Sequence, residues 1–175
     1  MFQIFDQRGL ARLEADAVLT RADFDNIAVR LGTRIVRARK IGYVAAIKAT
    51  RRQAVETRWN GKETKNTARA GDWIVINMSS DRKVLRDRDG GVNRYVITAE
   101  SFPSLYEAAG DSGSFGDIYR AKGVVEAIPL PGGFSIMAPW GERQIAPAGY
   151  LLCNGADVYG NNQETFVATY QVVSD

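Results

Sequence analysis

Short apolar runs set between glycines and polar turns dominate the chain, and they predict strands more than helices. Tyr43-Val44-Ala45-Ala46-Ile47 follows Gly42, and Val124-Val125-Glu126-Ala127-Ile128 follows Gly123; each is strand-length and reads as buried. Gln53-Ala54-Val55-Glu56-Thr57-Arg58-Trp59 alternates before Asn60-Gly61, a dipeptide suited to the positive φ of a tight hairpin turn. Trp73-Ile74-Val75-Ile76 follows the turn residues Ala70-Gly71-Asp72 and reads as a further strand. Ser101-Phe102-Pro103-Ser104-Leu105-Tyr106 predicts one helical turn with Ser101 as N-cap and proline in its first turn. Thr165 would cap a matching turn, and the spacing of four puts Phe166 and Tyr170 on one face of it. A longer helical period runs from Arg21 to Gly32. There Phe24, Ile27, Ala28 and Leu31 share a face, acids occupy the first turn, and Gly32 stands at the stop position.

The pattern repeats. Arg39, Gly42, Val44, Ala46 and Ile47 recur at a spacing of 81 as Arg120, Gly123, Val125, Ala127 and Ile128, and Trp59 pairs with Trp140 at the same spacing. Asp72-Trp73-Ile74-Val75-Ile76-Asn77 matches Gly149-Tyr150-Leu151-Leu152-Cys153-Asn154 at a spacing of 77, and Glu100, Phe102 and Tyr106 match Glu164, Phe166 and Tyr170 at 64. Three blocks in one order predict an internal duplication, with the first copy carrying an insertion over residues 79–94. The expected fold is mainly β, a β-rich α+β arrangement of two repeated small β-modules with short helical turns, preceded by a short N-terminal helical segment. The expected divisions are a helical segment over 1–38 packing on the modules, a first module over 39–109, a Gly/Ser/Asp-rich linker over 110–118 and a second module over 119–175. Trp59, Trp140, Trp73, Tyr150, Phe102, Phe166, Tyr106 and Tyr170 are expected in the two cores.

Val-x-Ala-Ile, a variable hairpin, Ala70-Gly71-Asp72-Trp73-Ile74-Val75 and then Phe102 and Tyr106 together resemble the small bacterial and phage proteins named for a Pro-Gly-Asp-Tyr-Gly signature. The first copy departs from it at Ala70 and Trp73-Ile74. The second keeps proline and tyrosine in Pro147-Ala148-Gly149-Tyr150 but loses the aspartate. The resemblance spans about 130 residues as a tandem. It implies a fold, and transfers no catalytic residues and no activity.

Composition narrows the chemistry. Histidine is absent and Cys153 is the single cysteine, which removes the commonest general base, every His-based relay, an internal disulfide and the usual zinc ligand sets. No metal and no cofactor is expected. Cys153, in an apolar run, reads as a small buried hydrophobe. No window nears 18 consecutive apolar residues, and the first residues carry no secretory-signal pattern, so the expected compartment is the cytoplasm, with no membrane partner. Charge is uneven: from Arg34 to Arg94 there are 16 Lys and Arg against 6 Asp and Glu, whereas the rest of the chain has 7 against 14.

Two groups of candidate residues follow. Asp72, Asn77, Glu100, Asn154 and Glu164 are the polar positions of the repeat, where the plain role is to brace turns or face solvent. Arg51, Arg52, Arg82, Lys83, Arg86 and Arg88 lie on loops that could converge on a phosphate-binding face. The reading that follows is a non-catalytic binding protein whose basic surface takes a phosphate-bearing ligand, a nucleotide or nucleic acid. Two alternatives stay open: a protein–protein interaction module, and an enzyme using carboxylate, tyrosine or lysine chemistry without metal or histidine.

Overall fold

The computed structural model describes residues 1–59 and 61–173; Asn60 of the expected hairpin turn lies outside them. The fold is mainly β with three short helices. It divides into two compact units: a contiguous one, Ile41–Gly123, and a discontinuous one that joins Met1–Lys40 to the chain from Val124 onward.

The discontinuous unit opens with β1 (Phe2–Gln7), β2 (Leu10–Val18), α1 (Arg21–Leu31) and β3 (Val36–Lys40). The contiguous unit follows with β4 (Tyr43–Lys48), β5 (Gln53–Trp59), β6 (Lys62–Ala68), β7 (Trp73–Met78), β8 (Arg94–Ile97), α2 (Phe102–Leu105), β9 (Tyr106–Gly113) and β10 (Gly116–Ala121). The first unit is then completed by β11 (Val124–Leu130), β12 (Phe134–Met137), β13 (Arg143–Ala146), β14 (Gly149–Asn154), β15 (Asp157–Asn162), α3 (Gln163–Thr169) and β16 (Tyr170–Val173).

Each unit is built on one five-stranded sheet, and the two sheets have corresponding orders: β8-β7-β4-β10-β9 and β15-β14-β11-β3-β16. The registers correspond at the spacings of the sequence blocks. Ala45 faces Ile76 and Glu126 faces Cys153; Val75 faces Tyr95 and Leu152 faces Tyr159. Tyr43 faces Arg120 and Val124 faces Arg39; Tyr106 faces Ala121 and Tyr170 faces Lys40. The fourth place in each sheet is filled from the far side of a chain connection. β3 is joined to β4 by two residues yet pairs with β11 and β16, and β10 is joined to β11 by two residues yet pairs with β4 and β9.

One face of each sheet packs under its short helix. Val44, Ala46, Val75, Phe102 and Tyr106 form that core in the contiguous unit, and Val125, Ala127, Leu152, Phe166 and Tyr170 form it in the other. The opposite faces are covered differently. In the contiguous unit, Ala45, Met78 and Ile118 lie with Val84 of the 79–93 segment, and Ala49, Val55 and Ala68 lie with Ile74 and Val96 at the β5–β6 hairpin. In the discontinuous unit, Ile128, Leu151, Cys153 and Val158 meet α1 and the sheet β1-β2-β12-β13, with Phe24, Leu13, Ile136 and Phe134 at the centre. Cys153 is buried, as its apolar run suggested. Helix α1 spans the expected residues. Thr20 and Asp23 form a reciprocal capping box at its start, and Gly32 ends it at φ +60.

Several expectations are corrected. Residues 1–38 are not simply helical, because the hairpin β1–β2 precedes α1; Leu13 and Ala15 point inward and Glu14 and Asp16 outward, a period of two. Residues 110–118 are no linker: they form the end of β9, a turn and the start of β10. The glycines there serve a bulge opposite Ile118–Tyr119 and a close approach of Gly116 to the Ala46 carbonyl. The module limits 39–109 and 119–175 therefore cut across the observed units. Trp140 is 58% exposed, with its indole N–H donating to Glu142, and Trp59 is half-buried; both lie beyond the sheets that hold the other aromatics. The cap of α3 sits three residues earlier than expected, Asn162 accepting from Thr165 N–H, since the cap's oxygen must reach the third free amide. Ser101 is the N-cap of α2 as expected, but its side chain makes no capping bond, and Ser101 N–H donates to Thr98.

Phe166→Ala should cost about 3–5 kcal/mol, and Trp140→Ala about 1 kcal/mol or less, measured by denaturant unfolding. A fragment cut at Ile41–Gly123 should unfold cooperatively. A fragment of residues 39–109 should not, because it lacks the strand that pairs with both β4 and β9; circular dichroism with a urea titration distinguishes them.

Candidate functional site

The repeated polar positions are mostly structural. Asp72 accepts from the backbone N–H of Arg69 at 2.8 Å and of Ala99 at 3.2 Å, bracing the turn before β7. Asn77 accepts from the Tyr95 hydroxyl at 2.7 Å, and that hydroxyl lies 3.2 Å from the Tyr106 hydroxyl, which must then be the donor between the two phenols. Glu100, Asn154 and Glu164 are exposed, and Glu164 stands in the first turn of α3, where a negative charge suits the free amides.

Around these positions the aromatic side chains form the same figure in both units. Trp73 stacks on Phe102 at 4.1 Å, and Phe102 lies 5.3 Å from Tyr106. Tyr150 stacks on Phe166 at 3.6 Å, and Phe166 lies 5.3 Å from Tyr170. Tyr159 packs in the cluster that holds Tyr170, at the position corresponding to Tyr95 beside Tyr106, a pair of positions that the sequence blocks did not include. Burial raises the phenol pKa values of both Tyr95 and Tyr159, reinforced in each case by the neighbouring tyrosine.

The six expected phosphate-binding residues do not come together. Across β4 and β7, Lys48 faces Trp73 at one end and Tyr43 faces Met78 at the other. Arg51 and Arg52 continue from the Lys48 end, whereas residues 79–93 leave from the Met78 end, about 17 Å away along the strand. At that far end the cations are engaged. Arg82 pairs with Asp111 and lies 4.6 Å from the ring centre of Tyr43, whose phenol pKa it lowers by hydrogen bonding, with Arg120 adding to the effect. Lys83 pairs with Asp81 at 3.5 Å, and Arg86 donates to the Gly90 carbonyl at 3.0 Å. Arg88 is exposed and has no ion pair among the described residues. Along the β5–β6 hairpin, a groove of about 430 Å³ is lined by Glu56, Arg58, Glu63 and Lys65, but Lys65 pairs with Glu56 at 3.2 Å and Arg58 with Glu63 at 3.9 Å, so its charges cancel.

At the Lys48 end the cations form no ion pair among the described residues, and Lys48 lies over the Trp73 ring. The Ala49 N–H donates to the Asp72 carbonyl at 2.7 Å and its carbonyl accepts from Gly71 N–H at 2.8 Å, so residues 48–53 run beside 68–73. Arg52 and Arg69 flank the Gln53–Ala68 pair at the base of the hairpin, and Arg51 precedes them. The Lys48 ammonium lies 5.7 Å from the ring centre of half-buried Trp73. Lys48, Arg51, Arg52 and Arg69 are all exposed, and none has an ion-pair partner among the described residues. Asp72, the acid between them, directs both oxygens to backbone amides. The sequence places Lys48 and Arg69 near this stretch but does not single them out, because their position beside Arg51 and Arg52 depends on the register of the hairpin base.

By unit, the charge contrast shrinks. The contiguous unit holds 14 Lys and Arg against 10 Asp and Glu, and the discontinuous one 9 against 10, because Arg34, Arg37, Arg39 and Lys40 belong with the latter. Among the described residues no group of three or more His, Cys, Asp or Glu is arranged to hold a metal ion, and no helix is long and apolar enough to cross a membrane. No family model matches the chain, and comparison with curated proteins and with solved structures finds no match.

The tyrosine pairs make a test at alkaline pH. A phenol ordinarily ionises near pH 10; with the folded value raised, the unfolded chain loses its protons first. The stabilisation is thus complete below about pH 10 and is lost as pH rises toward the folded value. Urea unfolding at about pH 8 and about pH 11 should show a fall that is smaller in a Tyr95→Phe/Tyr159→Phe variant. An equal fall in the variant would assign the effect to other groups.

Proposed function

We propose that the two five-stranded sheets are copies of one duplicated module, and that the chain is a non-catalytic binding protein whose contiguous unit takes a phosphate-bearing ligand on Lys48, Arg51, Arg52 and Arg69. One observation carries this reading. At the corresponding spacings the other unit has Pro129, Gly132, Gly133 and Ala146 where the contiguous one has those four cations, while sheet order, register and aromatic stacking stay alike. The sheet therefore forms without the cations. Four like charges held at one end with a single carboxylate, Asp72, repel one another, which costs stability rather than adding it. A phosphate group relieves that repulsion, and arginine offers it paired donors. Half-buried Trp73 beside Lys48 adds an aromatic edge to the same end, compatible with a nucleotide or a nucleic-acid strand as the source of the phosphate.

The test is a titration of the whole protein with inorganic phosphate, a nucleoside triphosphate and single-stranded nucleic acid at two salt concentrations. Binding should weaken with salt, and Arg51→Gln/Arg52→Gln/Arg69→Gln should flatten the logarithmic salt slope for a nucleic-acid strand by about 0.7 for each phosphate no longer neutralised. Lys83→Gln/Arg86→Gln/Arg88→Gln, at the other end of the sheet, should bind as the parent does. Equal losses from both triple variants, or no binding to any of the three ligands at low salt, would overturn the site and favour a protein partner.

A further inference from the structure

The path of the chain between the two units carries a second inference, independent of the cationic end. Two residues between antiparallel strands ordinarily close a hairpin. Here Ile41-Gly42 and Lys122-Gly123 each join consecutive strands that do not pair with one another. Gly42 at φ +102 and Gly123 at φ +114 let the backbone take this path. The exchange is reciprocal, since β3 meets β11 in the register in which β10 meets β4. As a result the discontinuous unit consists of two pieces held only by non-covalent contacts and by the intervening unit. Met1–Lys40 supplies β1, β2, α1 and β3, with Phe2, Leu13, Leu19, Phe24 and Ile27 in the shared core. The later segment supplies the strands that receive them: β12 pairs with β2, and β11 and β16 pair with β3.

We propose that this unit also assembles between two chains, with Met1–Lys40 of one copy closing on the segment from Val124 onward of a second, so that the protein forms a reciprocal strand-exchanged dimer. The partner is another copy of this chain because the acceptor already fits this segment and no other surface has to be made. Contacts within the unit are identical in both forms, so the balance rests on the connections and on concentration. A tether holds the two pieces at an effective concentration on the order of millimolar, and exchange therefore competes when the protein itself reaches that range. Short connections favour it, because opening them relieves the constraint on their backbone. Once formed, the dimer separates only by pulling the shared core apart, so it survives dilution.

The test uses the full chain with Arg39→Cys, Val124→Cys and Cys153→Ala. Arg39 and Val124 are exposed and face each other across β3 and β11, and residues opposite one another in antiparallel strands lie about 4.5–5.5 Å apart, within disulfide reach. The variant and the unaltered chain are unfolded, refolded at about 1 mM and at a concentration far lower, oxidised, and sized by light scattering and on a non-reducing denaturing gel. Refolding at high concentration should give dimers of both proteins, and in the variant the disulfide should join two chains. Refolding at low concentration should give monomers with the bond inside one chain. Monomers of the unaltered chain at both concentrations, or dimers of the variant whose disulfides all lie within single chains, would overturn the proposal.

Discussion

The architecture depends on the demand that a middle strand makes for hydrogen-bond partners on both edges. β4 and β11 are such strands, and every buried N–H and C=O they carry must be met. On one edge each finds a strand from its own later sequence, β7 or β14. On the other edge the partner comes from farther away: β10, which returns after the whole of its unit, and β3, which precedes that unit. Pairing across such separations costs loop-closure entropy, but the cost grows only logarithmically with length. A complete ladder and two buried faces outweigh it. The contiguous unit is thereby an insertion into the other, and both ends of the insertion are two-residue connections.

Aromatic stacking fixes the same detail in each sheet. A ring at the start of β7 or β14 lies flat on the phenylalanine of the short helix, and the tyrosine four residues on from that phenylalanine starts the edge strand. One turn of helix has little stability of its own. Here each short helix is held by a buried phenylalanine beneath it, and α3 also by the Asn162 side chain, which caps the Thr165 amide. The opposite faces differ because the chain had different material to cover them. In the discontinuous unit α1 and a four-stranded sheet do so; in the contiguous unit the segment 79–93 contributes Val84, and Arg82 lies against Tyr43. Arg82, Lys83 and Arg86 read from the sequence as ligand contacts are, in that setting, side chains that fasten a covering loop.

The elements were legible where a local rule governed them. The helix from Arg21 to Leu31 showed its period and its glycine stop, and the strands around Val44, Val75, Val125 and Leu151 showed as apolar runs. The β1–β2 hairpin was not read, although Leu13, Glu14, Ala15 and Asp16 alternate; the helical period of residues 21–31 was extended over the whole segment. What failed was long-range. Nothing local says that β3 passes over its neighbour to pair with β11, so the unit limits could not be read, and a Gly/Ser/Asp-rich stretch looked like a linker when it was a bulged hairpin. The cationic end failed for the same reason: Arg52 and Arg69 become neighbours across the hairpin base only because Gln53 pairs with Ala68. Trp140 misled because sequence correspondence was taken to mean equal burial, although it stands outside the sheet whose positions are matched.

Internal correspondence turns a surface pattern into an argument about function. A single domain with four exposed cations at one end invites the answer that they are solubilising surface. On the proposed duplication, each sheet supplies a comparison for the other, because whatever the fold requires must be present in both. The buried small and apolar positions pass that comparison: Val44 with Val125, Ala46 with Ala127, Val75 with Leu152 and Phe102 with Phe166. So do the paired tyrosines. The cations do not, since proline, two glycines and alanine occupy their places. Arginines scattered for solubility would also be expected beside acids, as they are along the β5–β6 hairpin, where Lys65 and Arg58 each face a glutamate. At the base of that hairpin Lys48, Arg51, Arg52 and Arg69 stand with one acid, Asp72, whereas along the ladder Lys65 and Arg58 are each paired. The change from paired to unpaired charge along one ribbon is hard to assign to solubility, which would act equally along its length.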